Sequence, residues 1–119
     1  MRKILIVDDN YLSMFLLKEG IGKRNYDIME VDDSTKVLEI IEDVKPDLVI
    51  LDIIMPNLSG FDLLKELTKR EYKVVVVSSL DSNEAKKKAF DLGAKNYITK
   101  PFSFDNLRTV ISDEMAYIN

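Results

Sequence analysis

Three short runs, Ile4-Leu5-Ile6-Val7, Leu48-Val49-Ile50-Leu51 and Val74-Val75-Val76-Val77, are apolar at every position and mostly β-branched. A strand with one wet face alternates apolar and polar residues. These runs do not alternate, so each reads as a strand covered on both faces. Cover on both sides of a sheet calls for helices, and the chain supplies them between the runs. Val37, Ile40, Ile41 and Val44 recur at the spacing of one helical face. Leu12, Phe15 and Leu16 share that spacing and read as the apolar face of a first helix. The same pattern appears in Leu63, Leu64 and Leu67 after Gly60, in Ala85, Ala89 and Leu92, and in Leu107, Val110 and Ile111. Gly20 and Gly22 close the first helix, Pro46 follows the second and Gly93 the fourth. Two shorter mixed segments, Ile28–Val31 and Tyr97–Thr99, read as edge strands.

Strands alternating with helices predict an α/β fold, a doubly wound five-stranded parallel sheet. With the mixed strands at the edges, the simplest strand order is 2-1-3-4-5, the flavodoxin-like arrangement. Winding then reverses after strand 2. Strands 1 and 3 become neighbours whose outgoing loops leave on opposite faces, and open α/β sheets bind ligands in that crevice.

The remaining sequence narrows the chemistry. The 119 residues fit a single domain. There is no cysteine, hence no disulfide, zinc finger or thiol nucleophile. There is no histidine either, so the usual general base and the commonest metal ligand are missing. A metal would be held by oxygen, which favours magnesium, calcium or manganese. The formal charge of −4 argues against nonspecific binding to nucleic acid. The apolar runs are too short to span a bilayer, and the start MRKILIVDD does not read as a secretory signal, so a cytoplasmic location is expected.

Polar residues gather at the carboxyl ends of the predicted strands: Asp8, Asp9 and Asn10, then Asp52, then Ser78 and Ser79, then Thr99 and Lys100. Adjacent strands lie about 4.8 Å apart, so Asp8, Asp9 and Asp52 should converge at the crevice. Three carboxylates there repel unless a cation joins them, and magnesium suits such a set. Each residue also fits a plainer role. Asp8 or Asp9 suits a helix cap, Asp52 and Ser78 suit local turn bonds, and Lys100 suits an exposed surface position. Asp32 and Asp33 repeat the doubled acid after an edge strand, where a cap is the better reading. Lys86, Lys87 and Lys88 read as a solvated helix face.

The stretches ILIVDDN, LVILDIIMPNLSG, VVVVSS and GAKNYITKPF, and the spacing of Asp52, Pro56 and Gly60, carry a family resemblance. Over nearly its whole length the chain resembles the receiver domain of two-component response regulators. The resemblance implies a single domain over residues 1–119 with no output domain, and a signalling switch rather than an enzyme. It implies that Asp52 is the phosphoacceptor and that Mg2+ (or Mn2+) is held by Asp9, Asp52 and the main-chain carbonyl of Ile54, with Asp8 acting through water. Ser78 and Lys100 would contact the phosphoryl group, Tyr97 would swing inward after phosphorylation, and the Lys100–Pro101 bond would be cis. Tyr97 fits a half-buried strand tyrosine equally well.

The implied partners are a sensor histidine kinase or a histidine phosphotransfer protein. A downstream protein would be met through the face of the fourth helix, fifth strand and fifth helix. The domain would be a monomer, with dimerisation on phosphorylation left open. A chemotaxis-type messenger and a phosphorelay intermediate both fit. An aspartate-nucleophile phosphatase would carry a second acid two residues after Asp52, where this chain has Ile54. A phosphate-independent interaction module would have no use for the acidic pocket and Lys100. Apolar Ile54 and Leu80, at positions that are often polar in the family, imply slow self-dephosphorylation.

Overall fold

The computed structural model describes residues 1–22, 24–56 and 59–116. Five strands, β1 (Arg2–Val7), β2 (Tyr26–Val31), β3 (Leu48–Leu51), β4 (Val74–Ser78) and β5 (Asn96–Thr99), form one sheet in the order β2-β1-β3-β4-β5. Every pairing is parallel. Helices α1 (Tyr11–Ile21), α2 (Val37–Val44), α3 (Gly60–Lys69), α4 (Asn83–Asp91) and α5 (Phe104–Met115) connect or follow the strands. A short 3-10 helix, Ser34–Lys36, leads into α2. The doubly wound arrangement expected from the apolar runs is the one observed.

Alternation along each strand divides the core into two layers. Ile4, Ile6, Ile50 and Val77 face α1 and α5, meeting Leu17, Leu107 and Ile111. Leu5, Val7, Val49 and Val76 face the other side, meeting Ile41 of α2, Leu64 and Leu67 of α3 and Ala89 of α4. Full burial of one such side chain is worth roughly 1.5–3 kcal/mol, which makes these two layers the main source of stability. The central strands β1, β3 and β4 are buried along their apolar runs, while β2 leaves Met29 41% exposed, as an edge strand does.

The first helix departs from expectation. Leu12, Phe15 and Leu16 do not face the core; they are 64%, 48% and 37% exposed. The buried side is Ser13, Met14, Leu17, Gly20 and Ile21. The reason is compositional: α1 is apolar almost all round, so spacing alone gives two candidate faces. Packing against α5 decides between them. A Cβ on Gly20 would stand 2.7 Å from Leu107 Cδ2, so the missing side chain lets the two helices approach on that side. Gly20 is therefore a packing residue inside the helix. The stop is Gly22, whose φ of 84° suits a residue without a Cβ and whose N–H donates to the Lys18 carbonyl.

Gly60 has a sharper role. A Cβ there would lie 2.2 Å from the carbonyl oxygen of Ile53, a main-chain atom that cannot swing aside. The start of α3 thus presses on the backbone just after β3. Gly22 has φ positive but open space around it. Gly60→Ala should therefore cost about 3 kcal/mol by forcing backbone apart, and Gly22→Ala about 1 kcal/mol from conformational strain alone. Urea denaturation of the two variants checks the difference; equal midpoints would contradict it.

Candidate functional site

Sheet register builds the site. Val7 of β1 pairs with Leu51 of β3, so the next residues, Asp8 and Asp52, emerge side by side. Their main chains are fixed: the Asp8 N–H donates to Val31 O at 3.1 Å and the Asp52 N–H to Val7 O at 3.0 Å. On the other side of β3, Ser78 of β4 pairs with Thr99 of β5, and the Lys100 N–H donates to Ser78 O at 2.9 Å. From there the Lys100 side chain reaches across the sheet edge. Its Nζ lies 2.8 Å from Asp8 Oδ2 and 2.9 Å from Asp52 Oδ2.

This bridge is largely dry. The side chains of Asp8, Asp52 and Lys100 are 1%, 8% and 18% exposed. Burial alone would lower the Lys100 pKa, but its hydrogen bonds to Asp8 and Asp52 outweigh burial and hold it above the usual lysine value. The ammonium is thus kept charged, and it is what allows a carboxylate to end the apolar run of β3. Asp52 also makes the local bond expected of a strand-end aspartate, its Oδ1 accepting from the Ile54 N–H at 2.9 Å. The turn role and the charged role coexist in one side chain, one oxygen each.

The cap alternatives for Asp8 and Asp9 fall away. Asn10 caps α1, its Oδ1 accepting from the Ser13 N–H at 2.8 Å. Asp8 is committed to the site: Oδ1 accepts from the Asn10 N–H and Oδ2 from Ser13 Oγ as well as Lys100. Asp9 is exposed and has no hydrogen bond or ion pair with any described residue. It lines one cleft with Asp52 and Lys100 and a second hollow with Asp8. Asp8, Asp9, Asp52 and Lys100 therefore gather round one rim of the sheet.

Among the described residues no three acidic side chains stand ready to grip a metal unaided, because Lys100 already occupies the space between Asp8 and Asp52. The formal charge is nevertheless −2, three carboxylates against one ammonium. With no cysteine or histidine in the chain, the side-chain donors at the cleft floor are oxygen. This donor set fits a hard dication that keeps several waters.

Ser78 is fully buried, and its Oγ accepts from the Leu80 N–H at 3.3 Å. The neighbouring Ser79, given no role by the sequence, lines the cleft, as Ser13 does, and Ser78 does not. Tyr97 is half-buried, and its hydroxyl donates to the Leu80 carbonyl. Burial raises its pKa above the ordinary phenol value; a hydrogen bond with Ser78 opposes that and the charge of Asp52 adds to it. Tyr97, Ser78 and the Leu80 backbone are thus one connected group behind the site. The Lys100–Pro101 peptide bond is cis.

The cleft measures 570 Å³. Asp9, Asp52, Ser79 and Lys100 form its polar end, and Leu12, Leu16, Ile54, Phe102 and Phe104 its apolar walls. Sequence pattern gave no sign of those walls, since Leu12 and Leu16 were expected in the core. The doubled acid after β2 divides: Asp33 caps the 3-10 helix, accepting from the Thr35 N–H at 2.9 Å, while Asp32 lines the hollow that Asp8 and Asp9 share. In the lysine run, Lys87 pairs with Asp91 at 2.8 Å and Lys88 sits 4.4 Å over the Phe61 ring.

Removing one partner from a buried ion pair leaves the other charge uncompensated, so Lys100→Met should cost roughly 3 kcal/mol at neutral pH. A raised lysine pKa contributes stability that is complete below the unfolded value and is lost as pH rises through the folded one. The gap between wild type and Lys100→Met should therefore narrow above pH 10.5. Denaturation of both proteins at pH 7 and in that alkaline range measures it; a gap that widens would contradict the assignment.

The comparisons with known proteins agree with this geometry. The family described as response regulator receiver domain matches residues 4–112. The alkaline phosphatase synthesis transcriptional regulatory protein PhoP of Bacillus subtilis is 34% identical over 104 residues, covering 86% of this chain. That alignment takes in 43% of the relative, so the chain spans less than half its length. A CheY-like response regulator receiver domain protein from Methanospirillum hungatei superposes with a TM-score of 0.89 at 26% identity, over 98% of this chain and 94% of that one. The BeF3-activated N-terminal receiver domain of RstA from Klebsiella pneumoniae gives 0.89 at 29% identity, over 96% of this chain and 98% of that one. With its sheet order, its acidic rim and the bridging lysine already in view, the chain belongs to the receiver domains of response regulators.

Proposed function

We propose that Asp52 accepts a phosphoryl group from a histidine kinase or a histidine phosphotransfer protein, and that the modification changes which partner the domain binds. Receiver domains are signalling switches that generally bind Mg2+ at an acidic pocket. For this chain, the observation that carries the reading is Lys100 Nζ between Asp8 and Asp52 at the floor of an open cleft.

The chemistry asks for position and positive charge rather than a strong nucleophile. Phosphoryl transfer passes through a loose transition state with charge spread over the peripheral oxygens. An Asp52 oxygen forms a bond to phosphorus while the bond from phosphorus to the donor's imidazole nitrogen breaks, and the nitrogen keeps the electron pair. Lys100 stands within reach of the incoming oxygens. Magnesium held by Asp9, Asp52 and the Ile54 carbonyl, with Asp8 acting through water, would supply the charge that offsets the phosphoryl group; manganese would serve as well.

The switch follows from what the phosphoryl group would recruit. It adds charge and acceptor oxygens, which draw Lys100 and the Ser78 hydroxyl toward it. Ser78 would then leave the Leu80 N–H, and Tyr97, whose hydroxyl holds the Leu80 carbonyl, would feel the change. The surface of α4, β5 and α5 would carry the readout to a downstream protein. Reversing a 1:99 population takes about 5.5 kcal/mol of differential interaction, which a dry, charge-assisted contact can supply.

The domain, residues 1–119, would work in the cytoplasm by docking, as a chemotaxis-type messenger or a relay intermediate. No helix among the described residues is long and apolar enough to cross a membrane. Return of the phosphoryl group to a histidine protein would mark the relay. Nothing favours an external phosphatase activity, since the position two residues after Asp52 is an apolar, 49% exposed Ile54.

Incubation with magnesium and acetyl phosphate, followed by mass measurement, should add one phosphoryl group to wild type and none to Asp52→Asn. Equal labelling of both would remove Asp52 from its role. Ile54 offers no hydrogen bond to an attacking water. Ile54→Asn should therefore shorten the phosphorylated lifetime by roughly fivefold, the rate equivalent of one hydrogen bond of about 1 kcal/mol. Decay followed by mass spectrometry gives both rates, and a slower variant would refute the role given to this side chain.

A further inference from the structure

The cleft beside Asp52 has two unlike ends. One carries the Lys100 ammonium, the Ser79 hydroxyl and the Asp9 carboxylate. The other is walled by Leu12, Leu16, Ile54, Phe102 and Phe104, with the Arg108 guanidinium 5.6 Å from the centre of the Phe104 ring. Of these, Leu12, Leu16, Ile54 and Phe104 are 64%, 37%, 49% and 36% exposed, an open apolar surface contributed by α1, the loop after β3 and the start of α5. A volume of 570 Å³ lies within the range of sites that hold whole small molecules, and a phosphoryl group fills little of it.

We propose that the apolar end is a subsite for the leaving group of the phosphodonor, and that it favours a flat aromatic ring over a small polar group. The proposal rests on Asp52 being the phosphoacceptor and adds a substrate class to it. Charge and polarity sort the two halves of such a donor. The anionic phosphoryl group belongs at the end with Lys100 and Ser79. The ring belongs against Leu12 and Leu16, where apolar contact is favourable. With an aromatic acyl phosphate, an Asp52 oxygen bonds to phosphorus as the phosphorus–oxygen bond to the acyl group breaks. The carboxylate departs with the electron pair, and no proton is required.

Two donors of one chemical type separate the subsite from the acceptor. Wild type and Leu12→Ser are each labelled, in magnesium, with acetyl phosphate and with benzoyl phosphate, and rates are read by mass. Leu12 lies mostly outside the core, and comparing the ratio of rates between proteins cancels the intrinsic reactivity of each donor. The benzoyl-to-acetyl ratio should be about fivefold higher in wild type than in Leu12→Ser. Leu16→Ser should lower it in the same direction, and free benzoate should slow labelling of wild type by acetyl phosphate more than equimolar acetate does. An identical ratio in all three proteins, with benzoate and acetate equivalent, would overturn the subsite and leave the apolar walls to protein contact alone. Failure of both donors to label wild type, or labelling of Asp52→Asn, would instead overturn the phosphoacceptor itself.

Discussion

The bridge from Lys100 to Asp8 and Asp52 is the contact on which the rest of the architecture rests. A carboxylate cannot stay ionised at the end of a dry strand without a partner of opposite sign. The cations of β1, Arg2 and Lys3, stand at the start of the strand, at the opposite end from Asp8, and β3 is apolar throughout, so the ammonium that meets these acids has another source. It comes from Lys100, the residue after β5, two strands from β3 and three from β1, on a side chain long enough to pass over the end of β4. Four strands, β1, β3, β4 and β5, must therefore be in register before the acids are tolerable, and the sheet that burial holds together is also what makes the charged rim possible.

That dependence explains why so much was legible in the sequence. Val74–Val77 and Leu48–Leu51 have no polar face, so they could only be interior strands, and a parallel sheet wrapped in helices follows from that. Once the strand order was fixed, Asp8, Asp52 and Lys100 had to share an edge. Local chemistry was also readable where one residue type does one job: Asn10 and Asp33 cap, and Gly22 stops a helix.

The failures lie where sequence offers two equal choices. In α1, Leu12, Phe15 and Leu16 keep the same helical spacing as Met14, Leu17 and Ile21, and only the approach of α5 at Gly20 shows which row is inside. Ser78 and Ser79 are adjacent and alike, yet the first is sealed behind the sheet while the second opens to the cleft. The lysine run on α4 is a milder case: two of its members find partners nearby, Asp91 for one and the Phe61 ring for the other.

The two rows of α1 have a consequence for how such a domain changes over time. Met14, Leu17 and Ile21 carry the helix's share of folding energy. Leu12, Phe15 and Leu16 carry a smaller part of it, since each keeps between a third and two thirds of its surface in water. Substitutions on the outer row thus cost the scaffold less than those on the inner one and are felt also by whatever touches that surface. One helix can be rewritten on its outside, generation after generation, while its inside goes on holding the sheet.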